Sequence, residues 1–428
     1  MSAPEALRPL RQRSFRLLTA GQLTSNVGDA FYAVALPWYV LATHGGALLL
    51  ATVLTAYGIP RTVLVAVGGS ASDRWRPWTV MMVADSVRAV LVALLAVVAF
   101  AGPASPDVLI PIAAVIGAGE GLFLPGSMAI VPSLVPDDDL QAANALSSGG
   151  TQLAALVGPA IAGAVVATAG PATAFVVDAA SFLVSAGSLA GIRQQRWRLP
   201  SAAEPADHGT AGGAPSGAPT LWRVLRSERV LQLILLVILA ANLGTGGLFE
   251  VALPALAHGP LHSGAAGYGG LVASIGAGAL VGSVAAAQAG RLRRPALVAS
   301  AAFLGDTVFM TVPPYLHSTY LAGVCLALFG VLNGFGNILA LTALQRWADP
   351  QLLGRVMGLI VLASFGTFPL SVALAGAVVH AYGPAPFFPI AGGVLALALL
   401  VALSQRSWRT FGMPEAANVP APAEVLTL

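Results

Sequence analysis

Ala162-Gly163-Ala164-Val165-Val166, followed by Gly170-Pro171-Ala172, recurs 213 positions later as Ala375-Gly376-Ala377-Val378-Val379, followed by Gly383-Pro384-Ala385. Two further pairs keep nearly the same offset. Asn26-Val27-Gly28 with Val34-Ala35-Leu36-Pro37 returns as Asn242-Leu243-Gly244 with Val251-Ala252-Leu253-Pro254, 216 to 217 residues on, and Gly117 and Gly121 return as Gly330 and Gly334, 213 on. Sequence rich in Ala, Gly and Val matches itself easily by chance, so one pair alone carries little. Three pairs in order at nearly one spacing mark an internal duplication, two halves repeated in parallel.

The solvent around these halves is lipid. Of 428 residues, 57% are hydrophobic and only 9% charged, against about 25% charged in soluble domains. A chain so poor in charge cannot cover a water-facing surface. A membrane crossing needs about 20 apolar residues, and the runs place crossings near 17–42, 47–71, 78–101, 108–130, 142–168, 172–192, 229–256, 265–289, 295–313, 319–343, 356–380 and 384–404. The expected fold is an all-α membrane protein of 12 transmembrane helices in two six-helix halves, 1–192 and 229–404. Residues 193–228 form a linker, rich in Ala, Gly, Pro and Ser over 200–220, and 405–428 are expected to be a disordered tail.

Arginine placement sets the expected orientation. All 21 basic residues are arginine, a compositional bias without mechanistic content. With the N-terminus inside, every arginine but Arg61 and Arg88 falls in a segment on the cytoplasmic side, and the outer loops hold none. One missed crossing would scramble that pattern. The apolar stretch after the first arginines is too long for a signal-peptide core and reads as an uncleaved first span. The expected location is therefore the bacterial inner (cytoplasmic) membrane, multi-pass, with both termini cytoplasmic. The lone Cys325 excludes a disulfide framework or thiolate cluster, and the scattered histidines of the outer loops (His44, His258, His262, His317, His380) offer no metal site.

Ionisable residues inside a span are costly unless paired or wet, so each is a functional candidate. Gln22, Ser25, Asn26 and Asp29 occupy one face of the first span. Asp29 lies roughly 18 Å from the cytoplasmic end, and Arg61 and Glu120 come out at about 14–16 Å. This depth agreement suggests a central polar cluster of Asp29, Arg61 and Glu120, read either as a structural Asp29–Arg61 pair or as a site where Arg61 approaches Asp29 in one state and leaves it in another. Asp85 and Arg88, three residues apart, read as a structural pair, and Asp178 and Asp306 read as structural too. Glu250 falls near the outer end of the seventh span as a gate candidate, while Asn242, Asn333 and Asn337 are candidate neutral contacts for a substrate. Phe31, Tyr32, Trp38 and Phe123 are read as lipid or core contacts before substrate contacts.

Several segments resemble the major facilitator superfamily. Gly68-Gly69-Ser70-Ala71-Ser72-Asp73-Arg74 is similar to the G-x-x-x-D-R motif between its second and third spans, although Arg76-Pro77-Trp78 replaces the later glycine and basic cluster. The resemblance implies that Gly69, Asp73 and Arg74 meet the eleventh span near Arg355 and that the contact depends on conformation. Gly158-Pro159-Ala160-Ile161-Ala162-Gly163 resembles the antiporter motif G-P-x-x-G-G, with Ala162 in place of one glycine, and implies that Gly158, Pro159 and Gly163 form a kinked small-residue face. Phe15-Arg16-Leu17-Leu18 with Gly21-Gln22, Ser25-Asn26-Val27-Gly28-Asp29, residues 136–144 and Asp178-Ala179-Ala180-Ser181-Phe182 are similar to bacterial exporters of the enterobactin-exporter and macrolide-efflux type. By the same resemblance spans 1, 4, 7 and 10 line a cavity and spans 3, 6, 9 and 12 lie outside it.

No G-x-x-x-x-G-K-[ST] phosphate loop is present, and no hydrolytic or redox constellation either, so the chain reads as a non-enzyme driven by an ion gradient, without cofactor or nucleic acid. The expected function is secondary active, proton-coupled efflux of a small amphipathic compound such as an antibiotic, siderophore or metabolite, by a monomer whose partners are that compound, the proton and the bilayer. A nutrient importer and a non-transporting sensor on the same fold remain alternatives. The orientation is directly testable: tags near Gly212 and at Leu428 should both report the cytoplasm and a tag near His262 the exterior. A periplasmic signal from Gly212 would overturn orientation and duplication together.

Overall fold

The computed structural model describes residues 7–43, 45–192, 225, 228–289, 292, 294–348 and 350–411, with the side chains of 67–74 and 350–355 outside that description. The helices are α1 (Arg13–Ala42), α2 (Gly46–Trp75), α3 (Pro77–Ala101), α4 (Pro106–Ile130), α5 (Leu140–Ile192), α6 (Arg229–Gly247), α7 (Leu253–His258), α8 (Gly264–Gln288), α9 (Pro295–Thr311), α10 (Thr319–Trp347), α11 (Pro350–Tyr382), α12 (Phe387–Ser404) and the short α13 (Arg406–Arg409). No strand occurs among the described residues. In lipid a helix satisfies its own backbone, which is why apolar runs of this length take no other form.

Ten described stretches are long and apolar enough to cross a membrane. The longest, Asp137–Ile192, turns at Gly170, whose φ of 81° lies in the left-handed region, so α5 is two limbs joined by a bend. Pro171 follows and starts the second limb. Its repeat mate Gly383 has φ 79° and makes the equivalent turn between α11 and α12. The 30-residue α1 is as long as α2 but less apolar on average. Twelve crossings follow if α1 and both limbs of α5 are each counted as one. The first part of the stretch expected as a disordered tail from 405 is ordered: α13 is helical, and Trp408 and Phe411 are buried against the second half. The linker, except Leu225 and Glu228, and residues 412–428 lie outside the described residues.

The repeated glycines occupy equivalent packing positions. Gly28 of α1 backs onto Ser181 and Asp178 in the second limb of α5, and Gly244 of α6 backs onto Ala391 of α12. Gly117 and Gly121 of α4 meet α2 at Tyr57 and Arg61, while Gly330 and Gly334 of α10 meet α8 at Ile275 and Ala279. Those contacts lie within a half. The third pair lies between halves: Gly163 of α5 meets Ala265 and Gly269 of α8, and Gly376 of α11 meets Ala47 and Ala51 of α2. The duplication thus appears as one packing scheme used twice.

Among the described residues, the buried core that the halves share lies toward one end. One buried cluster draws on both, with Phe31, Val53 and Phe175 from the first and Val251, Tyr268, Val372 and Phe388 from the second. It sits toward the α1–α2, α7–α8 and α11–α12 turns, where Trp38 also packs edge-on against His258 at 5.2 Å. Toward the opposite end, Phe15, Leu18, Met81 and Ile130 form a cluster of first-half residues, and Leu231, Leu344, Leu399 and Trp408 one of second-half residues. The molecule is closed at the first end, and its halves are separately cored at the other.

Closure depends on backbone reaching backbone. A Cβ on Gly163 would come within 2.8 Å of the Ala265 carbonyl oxygen and 2.9 Å of Gly269 Cα, atoms that cannot rotate away. Gly163→Leu should therefore keep both halves folded yet hold the closed end apart. Spin labels at Ser105 and Tyr315, in a Cys325→Ser background, should show a longer distance in this variant. Gly270→Leu, where a side chain meets open space, should leave the distance as in the parent. Equal distances in all three would overturn this account of closure.

Candidate functional site

Two cavities lined by described residues stand out inside the bundle. The smaller, about 220 Å³, is lined by charged and aromatic side chains from both halves, among them Asp29, Arg61, Arg88, Glu120, Asp178 and Glu250. Arg61 on α2 pairs with Glu120 on α4, Nη2 to Oε1 at 2.8 Å. Arg88 on α3 donates from Nη2 to Asp29 Oδ1 on α1 at 2.6 Å, and its Nη1 lies 3.8 Å from Asp85 Oδ1. Both guanidiniums also lie over rings, Arg88 above Phe182 at 4.0 Å and Arg61 above Phe365 at 4.5 Å. A weakly hydrated planar cation suits such a place better than an ammonium would.

The structure brings Asp29, Arg61 and Glu120 into one cavity but does not pair Asp29 with Arg61. Helix rise gives depth but not azimuth, and Arg88 occupies the same level from another helix. With Asp85 three residues away, Arg88 looked satisfied locally. Asp85 instead takes its shortest hydrogen bond from Ser185 Oγ, at 2.5 Å. The reading of spans 3 and 6 as outside the cavity is corrected, since Arg88, Asp178 and Phe182 line it. Asp178 is fully buried; it accepts from Ser181 at 3.4 Å through Oδ1, and its Oδ2 has no hydrogen-bond partner. The sequence marked it as an ionisable residue within a span, but not as one that faces a cavity.

Glu250 is the one carboxylate of this cavity from the second half, and local backbone places it there. Residues Leu248–Ala252 form a π-helical turn between α6 and α7. Just before it, Ser371 Oγ of α11 accepts from Gly247 N at 2.6 Å and donates to the Leu243 carbonyl at 2.6 Å. A side chain inserted into the helical ladder in this way favours a local widening, a feature that recurs at functional sites. The matching stretch of α1 is regular helix.

Other expected site residues fall elsewhere. Asn26 donates to Thr151 of α5 at 3.1 Å, and neither Asn26 nor Gln22 lines either cavity. Phe31 is buried in the shared core, and Phe123 packs against a first-half cluster. Gly158 backs onto Ala30 of α1, and Pro159 presents its carbonyl to Gly269. The side chains of Gly69, Asp73, Arg74 and Arg355 lie outside the described residues. Asn242, Asn333 and Asn337 share the second cavity, about 400 Å³, within the second half. Asn333 Nδ2 donates to Asp306 Oδ2 at 3.2 Å, and Asn337 Nδ2 donates to Asn333 Oδ1 at 2.9 Å.

Among known proteins, the family profile of transmembrane secretion effectors matches residues 4–422. The multidrug efflux pump Tap of Mycobacterium tuberculosis is 28% identical over 417 residues, 95% of this chain and 96% of that one. The enterobactin exporter EntS of Citrobacter koseri is 26% identical over 418 residues, 96% of each. Of solved structures, a POT family transporter aligns with a TM-score of 0.68 at 14% identity, over 92% of this chain and 96% of its own. The nucleoside transporter NupG aligns at 0.65 and 14%, over 92% and 100%.

The geometry ranks the two arginines. Arg88 is almost wholly buried and serves two carboxylates, whereas Arg61 serves one and is partly exposed. Stripping a buried pair of its cation costs on the order of 3–5 kcal/mol. Arg88→Ala should therefore lower the unfolding midpoint more than Arg61→Ala, and adding Asp29→Asn to Arg88→Ala should restore part of the loss. A smaller effect at Arg88 would mean its charge is not what holds α1, α3 and α5 together.

Proposed function

The chain belongs to the transmembrane secretion effector family of major facilitator transporters, and from that membership we propose that it is a proton-coupled exporter of a small amphipathic compound, working by alternating access as a monomer in the bacterial inner membrane. The single observation that carries the coupling is charge balance. Five carboxylates (Asp29, Asp85, Glu120, Asp178 and Glu250) and two guanidiniums gather in and beside one cavity. In a low-dielectric site a surplus of anions must be met by protons or a cationic guest. A cavity that trades one for the other is an antiport site.

Twelve crossings with both termini cytoplasmic make the closed end the outer one. The halves then face the cytoplasm, and the first-half pairs Arg61–Glu120 and Arg88–Asp29 travel as one body while Glu250 moves with the other. Asp29 is the best candidate for proton exchange. Its side chain is 42% exposed while that of its partner Arg88 is 4% exposed, so one face of the carboxylate meets water and the other a sealed cation. In this reading the proton loads at Asp29 when the cavity faces outside and leaves when it faces inside, and the exported compound competes for the same charge. Glu120, whose exposure matches that of its arginine more closely, ranks second. Kinship with exporters at 26–28% identity over the full chain supports the outward direction.

Asp29→Asn should abolish ethidium efflux driven by an imposed pH gradient in proteoliposomes while the protein still purifies folded. Uphill export at the parental rate would make Asp29 structural and move the coupling site to Glu120 or Glu250.

A further inference from the structure

Three acids crowd one cation in the middle of the first half. Arg88 is almost wholly buried; Asp29 takes its Nη2 at 2.6 Å, and Asp85 lies 3.8 Å from its Nη1. The third acid is Asp178. It shares a face of α5 with Phe182, the ring that Arg88 covers at 4.0 Å, since residues three and four apart are neighbours on a helix. Three residues before it, Phe175 meets Tyr32 of α1 with ring centroids 6.1 Å apart. Asp178 therefore stands between Tyr32 and Arg88, and all three line the smaller cavity. The backbone of α1 covers it from one side: a Cβ on Gly28 would lie 2.7 Å from Asp178 Oδ1.

One guanidinium balances one carboxylate, and the hydrogen bonds rank the claims on Arg88. Asp29 holds it directly, and Asp85 takes the Ser185 hydroxyl at 2.5 Å. Asp178 has the weakest claim. The single hydroxyl hydrogen of Ser181 is shared between the Asp178 backbone carbonyl at 2.8 Å and Oδ1 at 3.4 Å. Asp178 Oδ2, Tyr32 Oη and Arg88 Nε are buried without a hydrogen-bond partner. An ionised carboxylate only accepts and offers about four lone-pair sites, which here would go almost wholly unmet. A protonated one is a donor and needs one acceptor. The packed elements bring it no second cation. Asp29 and Tyr32 face it from α1, and Asp85 and Arg88 from α3. The sequence of α8 offers α5 only Tyr268, and α5 holds no other ionisable residue. Across the cavity Arg61 is engaged by Glu120, and Glu250 is a further acid.

We propose that Asp178 is a positioning residue that keeps its proton in both conformations: a neutral acid that bridges the Tyr32 hydroxyl and the Arg88 side chain and leaves the cation's charge to Asp29. The acid hydrogen goes to Tyr32 Oη and the acid carbonyl accepts from Arg88 Nε, directly or through water in the cavity. The three unpartnered atoms are then satisfied without a second negative charge. The proposal rests on the export reading above in one respect, that this cavity exchanges protons, and it separates an acid that exchanges from one that does not. An ionised Asp178 would compete with Asp29 for Arg88 and blunt the change that a proton makes at Asp29. A neutral one holds the arginine in place and leaves that change at full strength.

Infrared difference spectroscopy of the full chain in nanodiscs reads the protonation state. Subtracting Asp178→Asn from the parent should leave the C=O stretch of a protonated carboxyl from about pH 5 to about pH 8, where an ordinary aspartate, of pKa about 3.9, is ionised. Asp178→Ser removes the same carboxyl and serves where the asparagine variant does not fold. Tyr32→Phe, which lacks the acceptor, should keep this band and shift its frequency. In proteoliposomes Asp178→Asn should export ethidium under an imposed pH gradient at the parental rate, the opposite of Asp29→Asn. A carboxylate band in place of the acid band, a band unmoved by Tyr32→Phe, or loss of pH-driven export in a folded Asp178→Asn would each overturn the assignment. A parent that exports no ethidium would overturn the export reading while the infrared band still decided Asp178; a parent that exports but shows no acid band at Asp178 would do the reverse.

Discussion

Hydrocarbon offers an ion no solvation, so a charge placed inside a bilayer must find its partner in the protein. Arg88 shows how far that constraint reaches. It rises from α3, bonds Asp29 of α1, approaches Asp85 on its own helix and covers Phe182 in the second limb of α5. Three helices of the first half are tied at mid-bundle by one side chain. The neighbouring Gly119 of α4 leaves room for the arginine stem, since a Cβ there would lie 2.9 Å from Arg88 Cγ. The ion pair sets where α1 and α3 stand, and that in turn shapes the cavity between the halves.

The second requirement is that the halves hold together without locking. Lipid tails are as apolar as leucine, so burial alone does not drive helices together, and close packing of small residues does that work. The duplicated glycines divide accordingly. Those of α1, α4, α6 and α10 seat helices inside a half; Gly163 and Gly376 seat α5 on α8 and α11 on α2, across the boundary between the halves. Contacts between smooth backbones can be lost without unsatisfied polar groups, which suits a surface that opens and closes. The hydrogen bonds described across the boundary run from threonine side chains to backbone carbonyls. Thr62 donates to the Phe365 carbonyl at 2.9 Å, and Thr55 reaches that of Pro369 at 3.5 Å.

Much of this was legible in the sequence because lipid makes composition decisive. The helices, the bend at Gly170 and the equivalence of the halves all follow from apolar runs and spaced glycines. Asp29, Arg61 and Glu120 could be gathered into one cluster by counting rise along their helices. The partners could not. Depth is one coordinate of three, and whether Asp29 meets Arg61 or Arg88 depends on how α1, α2 and α3 rotate about their axes. Asp178 was misplaced for a related reason: a helix outside the cavity at one level can reach it at another. The π-turn at Leu248–Ala252 left no sequence signature either, since the serine associated with it, Ser371, lies more than a hundred residues away.

The duplication also exposes what the halves no longer share. Gln22, Asn26 and Asp29 stand in the first copy where Ile238, Asn242 and Thr245 stand in the second, at the offset of 216. One backbone scheme thus carries charge in one half and amides and hydroxyls in the other. The division is not complete: Asp306 and Glu250 are acids of the second half, and Glu250 alone of the two reaches into the cavity that Asp29, Arg61, Arg88 and Glu120 line. The duplicated frame therefore keeps one packing scheme while the side chains at equivalent positions have diverged.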